Sequence, residues 1–369
     1  MGVSLRLGRF NSPMWFSFKH ASAQISETQN IIVALHDGEG CVGYGEGCPR
    51  KYVTGETAAS AFEFLQKYGG AAAEAAKSLE ELQNWSETHR DLIDDNTSAF
   101  CALELAVIDL LGKRQNVAVE ALLGYPSPKS PAKYTAVMGD SSPLKMLAMS
   151  LAYRAYGFED FKVKLGGDLQ RENRRLATLP KSATVRFDAN NLWDDADSCV
   201  SYCRQLQRDY WAIEEPVNAF DAEAMSNIAQ ALDTRIILDE SCICENHMAP
   251  YVKNAKQFVA NIRVSKCGGI LRSIRLANYC LAHGIDVILG AHVGETSLLT
   301  RAGLAVSQGM HKPPLAREGA YGRLLLKQDI CEHSIRFGRG GILHPERYDF
   351  GHNSGLGVTV KPDCIEWLV

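Results

Sequence analysis

Between residues 161 and 269, five short apolar segments recur, and each ends in charged residues. No other feature of this 369-residue chain constrains its fold as tightly. The segments are Phe-Lys-Val-Lys at 161–164, Val-Arg-Phe-Asp-Ala-Asn at 185–190, Trp-Ala-Ile-Glu-Glu-Pro at 211–216, Ile-Ile-Leu-Asp-Glu-Ser at 236–241 and Ile-Arg-Val-Ser-Lys-Cys-Gly-Gly at 262–269. Each apolar run is too short for a free-standing helix and rich in β-branched residues, so it reads as a buried strand. The intervals have room for one helix each, which makes a run of βα units. Glu214 follows Asp188 by 26 positions, Asp239 follows Glu214 by 25, and Lys266 follows Asp239 by 27. One charged group therefore recurs per βα unit, at the C-terminal end of a strand. In an eight-stranded β/α barrel those ends converge on one mouth, where active sites form. Lys162 and Lys164 are two apart on one strand and point to the same side. Three acids and three lysines around one mouth would be costly without a partner, and a divalent cation held by the acids removes the cost.

The rest of the chain completes a barrel and adds a second region. Residues 134–139 read as the first barrel strand, 286–292 as the seventh and 315–321 as the eighth. Upstream, 30–35 and 41–46 read as a hairpin around Asp37-Gly38. Residues 56–92 read as helical, broken at Gly69-Gly70. Residues 98–113 read as a helix with Phe100, Leu103, Val107, Leu110 and Leu111 on one face and Asn96, Thr97 and Ser98 as caps. Residues 12–28 and 49–55 read as loops expected to close over the barrel mouth. A shift toward Pro, Ser and Lys at 124–131 places the domain boundary there, giving a first domain at 1–125, a barrel at 126–342 and a returning segment at 343–369 that carries a strand-like Gly-Val-Thr-Val. A net charge of −4 leaves no global basic field for nucleic acid. No apolar run reaches the length of a membrane span. The first ten residues lack a signal-length apolar core. Eleven cysteines without a Cys-x-x-Cys pair point to reduced, buried thiols in a cytoplasmic protein.

At these residues the chain resembles the enolase superfamily, in its muconate-lactonising subgroup. The resemblance lies in Lys162-Val-Lys164, Asp188-Ala-Asn190, Glu214-Glu215-Pro216, Asp239-Glu240-Ser241 and Lys266-Cys-Gly-Gly269. It extends to residues 102–109 with Gly112-Lys113, similar to the helix that closes the family's capping domain, and to 324–330 after the last barrel strand. It implies an α/β fold, a modified TIM barrel under an N-terminal α+β capping domain. It implies that Asp188, Glu214 and Asp239 ligate one Mg²⁺, with Mn²⁺ as an alternative; three carboxylates without Cys or His suit a hard cation. The residues alone leave open which of Glu214/Glu215 and of Asp239/Glu240 enters the mouth, because strand neighbours face opposite ways. The family pattern selects the first of each pair. Glu215 and Glu240 then support the ligands from behind, and Asn190 orients Asp188. The implied chemistry is abstraction of a proton α to a carboxylate, with the metal as Lewis acid. A lysine base needs nearby cations to lower its proton affinity. Lys164 would be the base on one face, Lys266 the acid or base on the other, and Lys162 would tune Lys164 and help hold the carboxylate. The implied partner is a small carboxylate, and the implied assembly a homo-oligomer.

The expected reaction is an isomerisation, by a racemase or epimerase of an amino-acid derivative or by a cycloisomerase of a muconate-like acid. An o-succinylbenzoate synthase-like lyase is the alternative. Dipeptide epimerases of the subgroup usually carry Asp-x-Asp at the eighth strand, where this chain has Arg317-Glu318-Gly319. A Schiff-base lyase on Lys164 or Lys266 would have no use for three acids, and a non-catalytic barrel none for bases on two faces. His292 and Glu318, near the ends of the seventh and eighth strands, are candidate substrate contacts, and His20 a weaker one. Taken singly, these lysines would be solvated and the acids helix caps; the common register favours a site. Gly268-Gly269 reads as a turn rather than a phosphate loop.

Overall fold

The computed structural model describes residues 2–20, 23–75 and 77–368, and side chains throughout these except at 16–25 and 75. An antiparallel sheet joins β1 (Ser4–Phe10), β4 (Asn30–His36) and β5 (Val42–Gly47), the last two being the expected hairpin. Gly43, Gly45 and Gly47 occupy alternate positions of β5, and a Cβ on any of them would overlap the helix Thr97–Gln115, at Ala106, Ala102 and Ser98. A two-residue step along the strand thus matches about one turn of the helix, and the two backbones meet directly. The helix is buried almost all round rather than on one face, because the barrel covers its other side. Its first turn is not capped by Asn96. The Glu56 carboxylate, from the turn before the helix Ala58–Phe64, accepts the N–H groups of Ser98 at 2.9 Å and Ala99 at 3.1 Å.

Two local expectations are corrected. Gly69-Gly70 does not break its helix; the chain widens into a π-helical turn at Leu65–Gly69, with Gly69 against Leu5, and runs on through Gly70–Ala75. Within 12–28, β2 (Pro13–His20) and β3 (Ala23–Glu27) are not loop but pair antiparallel with a bulge. Met14, Phe16 and Phe18 alternate with Trp15, Ser17 and Lys19, a strand period that the polar flanks obscure. The C-terminal segment returns to the first domain through β15 (Glu366–Trp367), which pairs with β1, while residues 359–361 bond to 330–332.

The barrel sheet is parallel, in the order β7 (Ala136–Met138), β8 (Asp160–Lys164), β9 (Thr184–Asp188), β10 (Ala212–Glu214), β11 (Arg235–Leu238), β12 (Phe258–Ile262) and β13 (Asp286–Leu289). A short pair, β6 (Ala132–Lys133) with β14 (Ile342–Leu343), lies beside it. The eighth stave is shorter than expected. Residues 315–318 bond to β13 through Leu315 N–H to Val287 (2.9 Å), Leu289 N–H to Ala316 (3.0 Å) and Glu318 N–H to Leu289 (2.8 Å). On the other side Thr135 N–H reaches Arg317 at 2.8 Å and closes the ring. Pro313-Pro314 before this stretch and the positive φ of Gly319 and Ala320 after it prevent a longer ladder. All eleven cysteines are free. No helix among the described residues is long and apolar enough to cross a membrane.

Candidate active site

The strand ends bring their charged residues together at one mouth, where Glu214 and Asp239 are buried and do not line the pocket itself. Lys162 and Lys164 lie on β8, Asp188 ends β9, Glu214 ends β10, Asp239 follows β11, and Glu318 ends the eighth stave. Tyr52 of the first domain, Lys162, Lys164, Asp188, Asn190, Glu240, Arg263, His292 and Glu318 line the pocket. Both cap segments reach its rim: Tyr52 directly, and β2 through Trp15 N–H to the Leu325 carbonyl (2.9 Å), with Met14 packed on Leu325 and Leu326. His20 ends β2, and its side chain lies outside the described residues.

Lys162 is the electrostatic hub. Its ammonium lies 2.8 Å from Glu214 Oε1, 3.1 Å from Asp188 Oδ2 and 3.2 Å from Glu318 Oε2. Burial pushes it down, but Asp188, Glu214 and Glu318 outweigh burial and hold its pKa well above the usual lysine range. Burial likewise pushes Asp188 up, and Lys162 and Lys164 draw it well below the usual carboxylate range. Glu214 goes the other way: burial, with Asp188, Glu318 and Asp239 nearby, lifts it to about 8 against the pull of Lys162. Lys164 donates to Asn190 Oδ1 at 2.6 Å and sits 3.3 Å from Asp188 Oδ2, with its side chain 16% exposed. Arg186, fully buried beneath the mouth, pairs with Glu318 at 2.9 Å and Asp160 at 3.1 Å.

Lys266 is not brought to the pocket. After β12 the chain turns at once into a helical turn, Val264–Cys267, which carries Lys266 below the mouth. Its side chain is 0% exposed, and its three N–H groups are taken by Asp239 Oδ1 (2.9 Å) and the carbonyls of Asp239 (2.6 Å) and Asn261 (2.7 Å). The residue that follows β12 and faces the pocket is Arg263, whose guanidinium contacts Asp239 Oδ2 and lies 3.5 Å from Glu214 Oε1. Arg263, like Asp239, is the first residue past its strand, whereas Lys266 lies four past. The Lys266-Cys-Gly-Gly stretch holds no phosphate loop either. The N–H groups of Ile270 and Leu271 that follow it already donate to Glu104, at 2.6 and 2.9 Å.

The supporting residues divide differently from expectation. Glu215 does lie behind the site, accepting the N–H groups of Asp239 and Ser241, both at 2.7 Å. Asn190 bonds Lys164 rather than Asp188. Glu240 lines the pocket itself, with Oε2 buried and unpartnered, and burial and Asp239 raise it to about 7. Strand alternation fails for these residues because β9, β10 and β11 have already ended; Asn190 and Glu215 take positive φ values of 48° and 37°. His292 is buried, and neither ring nitrogen has a partner among the described residues. Burial, then Arg263, Arg50 and Lys266, hold it well below the usual imidazole range, so the ring is neutral.

The donor set suits a hard cation. Asp188 Oδ1 and Glu214 Oε2 are buried carboxylate oxygens without hydrogen-bond partners among the described residues. Asp239 has both oxygens engaged, by Arg263 and Lys266. Among the described residues no three His, Cys, Asp or Glu side chains are gathered tightly enough to share one ion.

Two family models match the chain: "Mandelate racemase / muconate lactonizing enzyme, N-terminal domain" over residues 9–124, and "Enolase C-terminal domain-like" over 146–364. An N-succinyl-L-Arg/Lys racemase of Bacillus cereus is 26% identical over 99% of this chain and 97% of its own length. A chloromuconate cycloisomerase of Cupriavidus pinatubonensis is 23% identical over 99% and 96%. The structure of an Enterococcus faecalis dipeptide epimerase complexed with Mg and L-Leu-L-Tyr superposes with a TM-score of 0.81 at 24% identity, covering 97% of this chain and 99% of that one.

Proposed function

The chain belongs to the enolase superfamily, in its mandelate racemase and muconate lactonizing enzyme branch, and is an isomerase; from that premise we propose that it isomerises a small carboxylate by moving a proton at the carbon α to the carboxyl group, with Lys164 carrying the proton. The observation that carries this reading is the setting of Lys164. It is a pocket-facing lysine held by Asn190, beside an ammonium that three carboxylates keep charged. Lys162 supplies fixed positive charge where the enolate forms. Arg186 and Lys162 together hold Glu318 in place. Asp188, Glu214 and Asp239 would hold Mg²⁺, or Mn²⁺ as an alternative, which when bound supplies Lewis-acid stabilisation of the enolate oxygen. Tyr52 and the Met14–Leu325 contact narrow access of water to the pocket.

The test is exchange of the α-hydrogen of small carboxylates in D₂O, read by NMR, with and without Mg²⁺. Lys164→Ala should slow exchange by about 10²–10⁴-fold, the usual worth of a positioned base. Asp188→Asn should abolish exchange and remove the rise in melting temperature that added Mg²⁺ gives the wild type. Undiminished exchange by Lys164→Ala, or by exhaustively chelated wild type, would refute the reading.

A further inference from the structure

Nine large apolar side chains stand exposed among the described residues, and six of them gather on one side of the barrel: Leu144, Leu147, Leu151, Tyr156, Leu324 and Trp15. The first four lie on the helix Pro143–Tyr156, which follows β7. Leu144, Leu147 and Leu151 are three and four positions apart and share a face, with Leu144 78% and Leu151 56% exposed. Ala148, Ala152 and Ala155 are exposed beside them. The helix carries no charge between Lys145 and Arg154. The next barrel helix, Leu169–Leu176, shows Gln170 and Arg174 to water instead.

The apolar face runs into a groove. No helix follows the eighth stave, because residues 322–341 hold only the single turns Gly322–Leu324 and Arg339–Gly341. A complete β/α ring would place a helix there, against Pro143–Tyr156. Instead Met149, Tyr153, Tyr156, Leu324 and Phe337 line a groove of about 590 Å³. At 100° per residue, the leucines fall on one side of the alanines and Met149 and Tyr156 on the other.

We propose that this face binds a second copy of this chain, and that the contact braces the cap strand β2 against the barrel mouth. A two-fold axis running along the alanines sets the leucines of each copy over the groove of the other, the self-complementary fit that an isologous interface requires. The six side chains leave on the order of 600 Å² in water, the upper end of what a monomer shows and most of the roughly 800 Å² per partner that a stable dimer buries. A bilayer surface would cover the leucines but fill no groove. The contact reaches the mouth through a shared wall: Val137, Tyr321 and Leu325 line both the groove and the pocket. Trp15 pins β2 to that wall, with its backbone N–H to the Leu325 carbonyl at 2.9 Å and Nε1–H to the Arg323 carbonyl at 3.3 Å. A copy seated over Leu324 and Trp15 takes both out of water and holds β2 in place.

Sedimentation velocity of the full chain from about 0.1 to 100 μM tests this. The wild type should form dimers, or assemblies of an even number of copies. Leu147→Glu combined with Leu151→Glu should weaken association about 100-fold or more, two apolar anchors being lost to charge. Phe220→Glu, at an exposed apolar side chain elsewhere, should leave association unchanged. In the dissociated double variant, amide exchange at Trp15 and Lys327, which bond across the wall, should quicken about tenfold. A wild type that is monomeric throughout overturns the proposal, as does an assembly indifferent to the two leucine changes. A monomer that binds phosphatidylcholine vesicles through these leucines overturns it in favour of a bilayer. Unchanged exchange at Trp15 and Lys327 on dissociation removes the link to the mouth. If the double variant does not fold, as read by circular dichroism, hydroxyl-radical footprinting of the wild type decides: labelling of Leu144, Leu147 and Leu151 should fall as concentration rises, and constant labelling overturns the proposal.

Discussion

Lys162 shows how far a single side chain can organise this site. It holds three carboxylates from three different staves, Asp188, Glu214 and Glu318, in a region almost without solvent. Replacing it by Met leaves those acids buried and uncompensated, so Lys162→Met should lose about 3–5 kcal/mol of stability, the usual cost of breaking a buried ion pair from one side. Urea unfolding measures this, and a loss under 1 kcal/mol would mean the acids find other partners. His292 gives a second residue-scale prediction. Its ring is held neutral by burial and by Arg263, Arg50 and Lys266, so its NMR signals should stay flat as pH falls from 8 to 5. A midpoint near the ordinary 6.5 would contradict the packing described here. Within strands, these residues were readable from sequence: Lys162, Lys164, Asp188 and Glu214 follow the two-residue period. Beyond the strand ends they were not. Asn190, Glu240 and the exchange of Lys266 for Arg263 all lie where the backbone has left that period.

At the scale of elements, buried glutamates of the first domain act as caps for helices of the barrel. Glu104 accepts the first N–H groups of the helix Ile270–Ala282. Glu46 accepts from Thr296 N–H at 3.0 Å, Thr296 Oγ1 at 2.6 Å and Leu299 N–H at 3.2 Å, at the start of the helix Ser297–Gly309. Burial pushes Glu104 up to about 8 despite its two N–H bonds, against an ordinary 4.5. The folded chain therefore keeps a proton that the unfolded chain releases between those values, and stability should fall as pH rises from about 5 to 8. Glu104→Gln removes that proton linkage. Melting temperatures of the two proteins across this range should show a shallower decline in the variant; parallel curves would mean that Glu104 is ionised throughout. None of these caps could be read locally, because donor and acceptor lie 166 positions apart for Glu104 and 250 for Glu46.

At the scale of the molecule, cap and barrel share one apolar core that runs from Phe10 and Ile31 through Leu103 to Phe161 and Phe258. Arg301 ties three regions together: it grips both oxygens of Glu120, at 2.6 and 2.7 Å, and donates to the Leu356 carbonyl at 2.7 Å, with both charged side chains fully buried. Because the core is continuous, calorimetry should show a single unfolding transition, with the calorimetric and van't Hoff enthalpies in agreement. Two resolved transitions would mean that cap and barrel melt separately.

The sequence by itself determined the barrel, the mouth and most of what lines it. A βα unit has a nearly constant length, and side chains alternate strictly inside a strand, so a charge that recurs at that period can only collect at one end of a barrel. Tertiary structure decided the rest. Which cation faces Lys164 depends on whether the chain stays extended past Ile262 or turns into the helical segment Val264–Cys267, and here it turns. Whether the eighth stave pairs over seven residues or four depends on Gly319 and Ala320 adopting positive φ against their neighbours. Those choices follow from contacts between residues far apart in the chain, which no local periodicity encodes.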